Sequence, residues 1–451
     1  MAGSYRYSER LRSHHDAFSP LRACLKPVSN LAERLQELPP DGRPRTVYIH
    51  VPFCTHSCTF CNLSRRRAQP PDDYADLILR ELETYTAYPY VRAGCYGAVY
   101  FGGGTPTTLS PQALRKILKA LRTELDLAPD AEVTVETTVS DLTEDKVAVF
   151  QEEGVNRFSI GVQTFSEKGR RLLGRLGTGK QAIEMITALL RKGFQNVGID
   201  LIYNWPGQSE DDLREDLEII ESLGLAGLSF YALILVEGAA LDRMINAGHC
   251  PPMGSLERER VLFDLILERL LDRGFILHEL TKLVKPGRDE YRYVRIRHQG
   301  GDTLALGAGA GGRLGHLMYR NPPDLSAYRA QVEGPTGLPG QGFLADRRYA
   351  LGYRIVGRLQ FGRLEWALLD SAPEIGDGLR PLIEALKEDG LVRIGPHGLS
   401  LTTEGIFWGN NIGQEFAMAL VKLFKGGDVT GHPHTSVLQK GRKADRHPLL
   451  G

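Results

Sequence analysis

Three of the chain's six cysteines, Cys54, Cys58 and Cys61, fall within the eight residues CTHSCTFC. Gaps of three and then two residues keep the three thiols on one short loop. Soft thiolates held this close together select zinc or iron–sulfur chemistry over hard cations. Structural zinc takes four ligands, and its cysteines usually come as two pairs. Here there is no second pair: Cys24 and Cys95 stand alone, and Cys250 sits beside His249 far along the chain. Three thiolates suit a 4Fe–4S cluster with one iron left for a small molecule. Zinc, or three small buried core residues, are the competing readings, and both fit the spacing and placement poorly.

Further polar and glycine-rich stretches could share that chemistry. Gly102-Gly103-Gly104-Thr105 lets backbone approach a ligand closely, and its N–H groups could meet a carboxylate. Glu136, Gln163, Arg175 and Asp200 are polar residues close to apolar, strand-like runs, where a core explanation is hard to make. Arg65-Arg66-Arg67 is a short basic run, either a solvated loop or a contact for substrate carboxylates.

These residues need elements to hold them. Strand-like runs cover residues 46–51, 98–104, 132–137, 157–163, 197–203 and 228–235. Between them lie stretches with helical spacing, around 73–87, 111–124, 142–153, 180–192 and 209–223. Six strand–helix units predict a parallel sheet with helices outside, too few for a closed eight-stranded barrel. The fold class is therefore α/β, a partial (β/α)6 barrel with chemistry at the C-terminal strand ends. The cysteine loop, the glycine triplet and the four polar residues all fall at such ends. Residues 1–45 read as an N-terminal arm, 46–245 as the core, 246–425 as a smaller α+β domain and 426–451 as a flexible tail. Within the smaller domain, helix 256–273 precedes strands near 275–283 and 291–298, and residues 379–400 resemble a winged-helix module.

Bulk composition narrows the class further. Of 451 residues, 42% are hydrophobic and 24% charged, as in ordinary globular proteins. Lys plus Arg equals Asp plus Glu at 55 each, so no global field points to nucleic acid. No apolar run approaches the roughly 20 residues of a spanning helix. The N-terminal stretch lacks the apolar core of a secretory signal. Six cysteines make no disulfide framework, and the chain reads as cytoplasmic.

CxxxCxxC after a first barrel strand resembles the radical S-adenosylmethionine (SAM) superfamily. YIHVPFC (48–54), GGGTP (102–106), GVQTF (161–165) and DLIYNWPGQ (200–208) are similar to its branch built around oxygen-independent coproporphyrinogen oxidase. The resemblance covers residues 45–330 or so. It implies a cluster held by Cys54, Cys58 and Cys61, whose open iron binds the amino and carboxyl groups of SAM. It also implies a second SAM in the same site. On this pattern Gly103, Gly104 and Thr105 hold the methionine part of the first SAM. Tyr48 and Glu136 also match first-SAM residues, and Phe60 packs at its adenine. Gln163, Arg175 and Asp200 match second-SAM residues. An acidic side chain suits ribose hydroxyls, and arginine suits a carboxylate. Ala232 and Gly311 are further cavity candidates.

One departure separates subfamilies. The decarboxylating members carry a further cysteine two positions after the third, where this chain has Leu63. Residues 304–329 and 401–420 resemble the anaerobic haem-utilisation type of class C radical SAM methyltransferase. The resemblance then implies methyl-derived carbon transfer to haem, ring opening and iron release, with electrons from a flavodoxin or ferredoxin. A class C methyltransferase of another aromatic or heterocyclic substrate, and a haem chaperone, are the alternatives. His316, His432, His434 and His447 are candidate haem ligands.

Overall fold

The computed structural model describes residues 6–61 and 66–427. These divide into two compact units, one of residues 29–297 with 301–342, the other of residues 6–28, 298–300 and 343–427.

The larger unit is organised by one sheet. Its strands are β1 (Arg45–Val51), β2 (Cys95–Gly103), β3 (Asp126–Thr138), β4 (Arg157–Gln163), β5 (Asn196–Tyr203) and β6 (Gly227–Ala232). Later in the chain come β7 (Ile276–Glu279), β8 (Lys282–Val284), β9 (Asp302–Leu306), β10 (Gly311–Leu314) and β11 (Leu317–Arg320). The spatial order is β11-β10-β9-β1-β2-β3-β4-β5-β6-β8-β7. The six strands expected from the sequence lie side by side in parallel, as a partial barrel requires. β9 joins the other edge of β1, also in parallel. The hairpins at the two ends of this run are antiparallel.

Side chains alternate across each strand, and here the alternation separates two chemistries. Val47, Ile49, Phe101, Val135 and Ile199 share one face and are fully buried. The opposite face carries Tyr48, Tyr100, Glu136, Ser159, Asp200 and Ser229. Between strands run helices α1 (Tyr74–Thr86), α2 (Pro111–Glu124), α3 (Glu144–Glu152), α4 (Gly179–Arg191) and α5 (Glu210–Ser222). Reciprocal capping boxes of Thr178 with Gln181 and of Ser209 with Asp212 start α4 and α5.

The sequence reading and the structure part company after β6. That strand ends at Ala232, short of the expected 235. The expected core ends at 245, whereas the unit built on this sheet continues to 342, because β7 to β11 pair into it. Residues 292–298 form a helix, α7, following α6 (Leu256–Asp272), and not a strand. The remote Glu132 carboxylate accepts from the N–H groups of Arg292 (3.2 Å) and Tyr293 (3.5 Å), which caps that turn.

In the smaller unit, helices Arg347–Gln360, Pro373–Glu388 and Gly409–Phe424 accompany a three-stranded antiparallel sheet of Arg363–Glu365, Gly398–Leu401 and Val392–Gly395. Residues 6–28, expected as part of an arm, belong to it. Tyr7 donates to Glu415 (2.6 Å), and Asn411 donates to the Glu9 carbonyl (2.8 Å). No helix among the described residues is long and apolar enough to cross a membrane.

Candidate active site

The cysteine loop leaves β1 and is fastened on two sides. Towards the glycine triplet, Gly104 N–H donates to the Val51 carbonyl and Thr105 N–H to the Phe53 carbonyl, both at 2.8 Å. A Cβ on Gly104 would lie 2.5 Å from the Phe53 oxygen, so only glycine permits this approach. These two N–H groups are therefore occupied by backbone rather than presented to a ligand carboxylate, as the triplet suggested. Cys54 is buried, and its sulfur lies 3.4 Å from the Thr105 hydroxyl. On the other side Thr59 donates to the carbonyls of Leu172 (2.7 Å, hydroxyl) and Leu173 (3.2 Å, N–H). Arg175 follows at once, and its Nη1 donates to the Cys58 sulfur at 2.9 Å. Thr55 donates to Asp141 at 3.0 Å.

The loop forms one wall of an open cavity of about 190 Å³. Cys54, Cys58, Phe60 and Cys61 edge it, as do Gly104 and Thr105. Glu136, Gln163, Arg175 and Asp200 reach it from β3, the end of β4, the segment after β4, and β5. The three thiols fit a 4Fe–4S cluster better than a lone cation. They are soft donors around one cavity, the ligand type that iron–sulfur clusters take.

Two carboxyls set the electrostatics. Burial pushes Glu136 up to about 7, although Tyr100 donates to it at 2.6 Å and the Gly103 N–H also bonds it. Burial raises Asp200 as well, opposed by Lys282, Arg157 and the hydroxyls of Ser159 (3.3 Å) and Ser229. Gln163 sits at φ 72°, left-handed for a residue with a side chain, where the β4–β5 register shifts. Gly161 makes room beside it: a Cβ there would lie 3.1 Å from the Gln163 amide nitrogen and 3.3 Å from Arg175.

Four expected residues lie outside this cavity lining. Tyr48 is hydrogen-bonded to His50 Nδ1 at 2.9 Å and stacked 5.9 Å from Tyr293. Gly103 backs onto the His50 ring, 2.8 Å from where its Cβ would be. Burial, helped by Arg320, pushes His50 down to about 4, so it is neutral there. Ala232 is buried opposite Tyr203 on β6, and Gly311 pairs with Arg320 in the β10–β11 hairpin. The glycine run that precedes this hairpin packs on buried groups: Gly307 N–H donates to Glu81 (2.8 Å) and Ala308 N–H to the Tyr74 hydroxyl (2.9 Å). His316 is exposed in the β10–β11 turn. Arg66 of the basic run pairs with Asp324 at 2.9 Å. Leu63, Arg65, His432, His434 and His447 lie outside the described residues.

The sequence reading missed Tyr100, Ser159, Asp141 and Lys282. The first two follow from strand alternation, two residues before Gly102 and Gly161. Nothing local points to the others.

Residues 48–220 match the family model described as the radical SAM superfamily. The anaerobilin synthase of Escherichia coli O157:H7 is 32% identical, over 88% of this chain and 90% of its own length. The heme chaperone HemW of Mycobacterium tuberculosis is 31% identical, over 81% of this chain and 93% of its own. Among solved structures, the E. coli coproporphyrinogen III oxidase HemN superposes with a TM-score of 0.73 at 24% identity, covering 86% of this chain and 92% of that one. At that identity the likeness concerns the fold.

Proposed function

We propose, from the premise that this chain belongs to the radical SAM superfamily and within it to the coproporphyrinogen-oxidase-like branch of the anaerobilin synthase type, that it transfers a methyl-derived carbon to haem using two SAM molecules. It is a radical SAM enzyme, and its cofactors are a 4Fe–4S cluster and SAM. The observation that carries the finer reading is the meeting of Gln163, Arg175 and Asp200 with the three cysteines around one cavity. A chain that only held haem would have no need of that set.

In this reading Cys54, Cys58 and Cys61 hold the cluster, which when bound supplies the electron that splits one SAM into methionine and a 5′-deoxyadenosyl radical. The chain's own residues bind and orient. Glu136 and Asp200 accept hydroxyl hydrogen bonds in a desolvated site, where such bonds are strong. Arg175 offers a cation to a SAM carboxylate. Gln163 presents its amide to the same cavity. Phe60 offers an apolar face to adenine. Holding both SAM molecules and the tetrapyrrole carbon in register replaces encounters in solution by one oriented step. Ring opening and iron release follow from carbon transfer, and a flavodoxin or ferredoxin is the electron source.

Haem-chaperone relatives of similar identity favour a second reading, haem holding without turnover. Reduced anaerobically with SAM and haem, the reconstituted protein is expected to make both 5′-deoxyadenosine and S-adenosylhomocysteine while the haem band bleaches. 5′-Deoxyadenosine without S-adenosylhomocysteine would refute methyl transfer. Haem bound but unchanged would support the chaperone, and bleaching confined to another aromatic substrate would move the substrate class.

A further inference from the structure

The β7–β8 hairpin brings a buried cation to the polar face of the sheet. Asp200 stands opposite Ser229 on β6, and Ser229 stands opposite Lys282 on β8, so all three share that face. The Lys282 side chain is 1% exposed, and its Nζ lies 3.1 Å from Asp289 Oδ2. That carboxylate is already gripped twice by Arg157, Nε to Oδ1 at 3.0 Å and Nη2 to Oδ2 at 3.1 Å. Both cations also lie over the Tyr291 ring, Lys282 at 4.9 Å and Arg157 at 4.7 Å. The Lys282 ammonium therefore pairs with a carboxylate that Arg157 already holds through both oxygens.

Lys282 and Arg157 share the Asp289 carboxylate, with the buried Glu132 also near Arg157 and Glu279 paired across from Lys282. A buried cation that shares its counter-charge draws a further carboxylate into its ionised form. Two acids align with Lys282 in the strand register: Glu279, its direct partner on β7, and Asp200, one strand further across Ser229. The groups facing Asp200 are Glu136 on β3, Arg157 and Ser159 on β4, Ser229 and Tyr231 on β6, Glu279 on β7, Lys282 on β8, and Tyr291. Among them Lys282 and Arg157 are the cations. Burial pushes Glu136 and Glu279 up to about 7, so neither is a firm negative charge at neutral pH.

We propose that Lys282 is a positioning residue for SAM binding, its buried ammonium keeping Asp200 in the carboxylate form that accepts a SAM hydroxyl. It rests on the reading of Asp200 as a SAM-binding residue. Lys282 itself does not touch the ligand.

The test is SAM affinity by anaerobic equilibrium dialysis of cluster-loaded protein between pH 6.5 and 9, comparing wild type with Lys282→Met, Lys282→Gln, Lys282→Arg and Asp200→Asn. The ratio of variant to wild-type dissociation constants is read in a Glu136→Gln background, because Glu136 titrates over this range and is coupled to Asp200. For Lys282→Met and Lys282→Gln this ratio is expected to exceed one at the acid end of the range and to fall as pH rises. Lys282→Arg keeps the charge and is expected to hold the ratio near one throughout. A ratio that does not change with pH would mean a merely structural role and overturn the proposal. Asp200→Asn separates the layers. Weak binding at every pH supports the underlying site. Unchanged binding removes that site and the proposal with it. Weak binding by Asp200→Asn beside a pH-independent Lys282 ratio overturns the proposal alone.

Discussion

Arg175 Nη1 donates to the sulfur of Cys58 at 2.9 Å, while its Nη2 donates to the Gly161 carbonyl. One guanidinium therefore ties the cysteine loop to the end of β4, and its buried Nε keeps a donor with no partner among the described residues. A thiolate accepts a stronger bond from a cation than a thiol does. Arg175→Met should accordingly slow cluster assembly without preventing it, and weaken SAM binding by roughly ten- to a hundredfold. Arg175→Lys keeps the charge but loses the planar fork, so its effect should be intermediate. Iron content after a timed reconstitution, together with SAM dialysis, reads both effects. Wild-type values for Arg175→Met would remove Arg175 from the site.

The three cysteines should behave unlike the rest. Cys58→Ala, and equally Cys54→Ala or Cys61→Ala, should abolish the brown cluster absorbance of the reconstituted protein. Cys95→Ser changes an exposed thiol away from the loop and should leave that absorbance intact. A normal spectrum from Cys58→Ala would show that the ligand set is wrongly assigned.

Glu136 couples stability to binding with a definite sign. Burial holds it at about 7, above its unfolded value near 4.3. The stability it contributes is complete below the unfolded value and is lost as pH rises through about 7. At pH 8 the folded chain carries a buried carboxylate, at a cost of order 3 kcal/mol. Glu136→Gln should therefore raise the melting temperature at pH 8, change it little at pH 5, and weaken SAM binding at both. An equal gain at the two pH values would be incompatible with a titrating Glu136.

Much of this site could be read from the sequence because its signals are local. Strand alternation, the CxxxCxxC spacing and the glycine triplet each occupy one short stretch, and the six parallel strands lie where the periodicity puts them. What escaped depends on distant partners. β9 pairs with β1 from some 250 residues away. Residues 292–298 alternate like a strand but are capped as a helix by Glu132. The Gly104 and Thr105 N–H groups looked available for a ligand until the loop after β1 was seen to take them. Lys282 and Asp289 are unremarkable letters until the fold buries them together.

The Arg157–Asp289 pair should be costly to break from one side. Both side chains are fully buried and doubly bonded. Burial would raise the Asp289 carboxyl, but Arg157 and Lys282 more than offset this and hold it well below the usual range. Asp289→Ala leaves two buried cations without their counter-charge, so a loss of ~3–5 kcal/mol is expected in denaturant unfolding. A loss under 1 kcal/mol would mean that water or another acid replaces the aspartate.

Gly161 tests the geometry of the cavity rather than its charge. A Cβ there would lie 3.1 Å from the Gln163 amide nitrogen and 3.3 Å from the Arg175 guanidinium, closer than side chains comfortably pack. Both atoms are ends of flexible side chains, so the Gln163 amide and the Arg175 guanidinium would each shift, the arginine by loosening its bond to Cys58. Gly161→Ala is thus expected to fold and assemble its cluster, since the three cysteines and their backbone ties to the Thr105 and Leu173 segments are untouched. Its SAM affinity should fall by about tenfold, the scale of one displaced charge-assisted hydrogen bond. Cluster absorbance and SAM dialysis on the same sample separate the two effects. Loss of the cluster in this variant would show that Arg175 supports the cysteine loop more than it supports SAM.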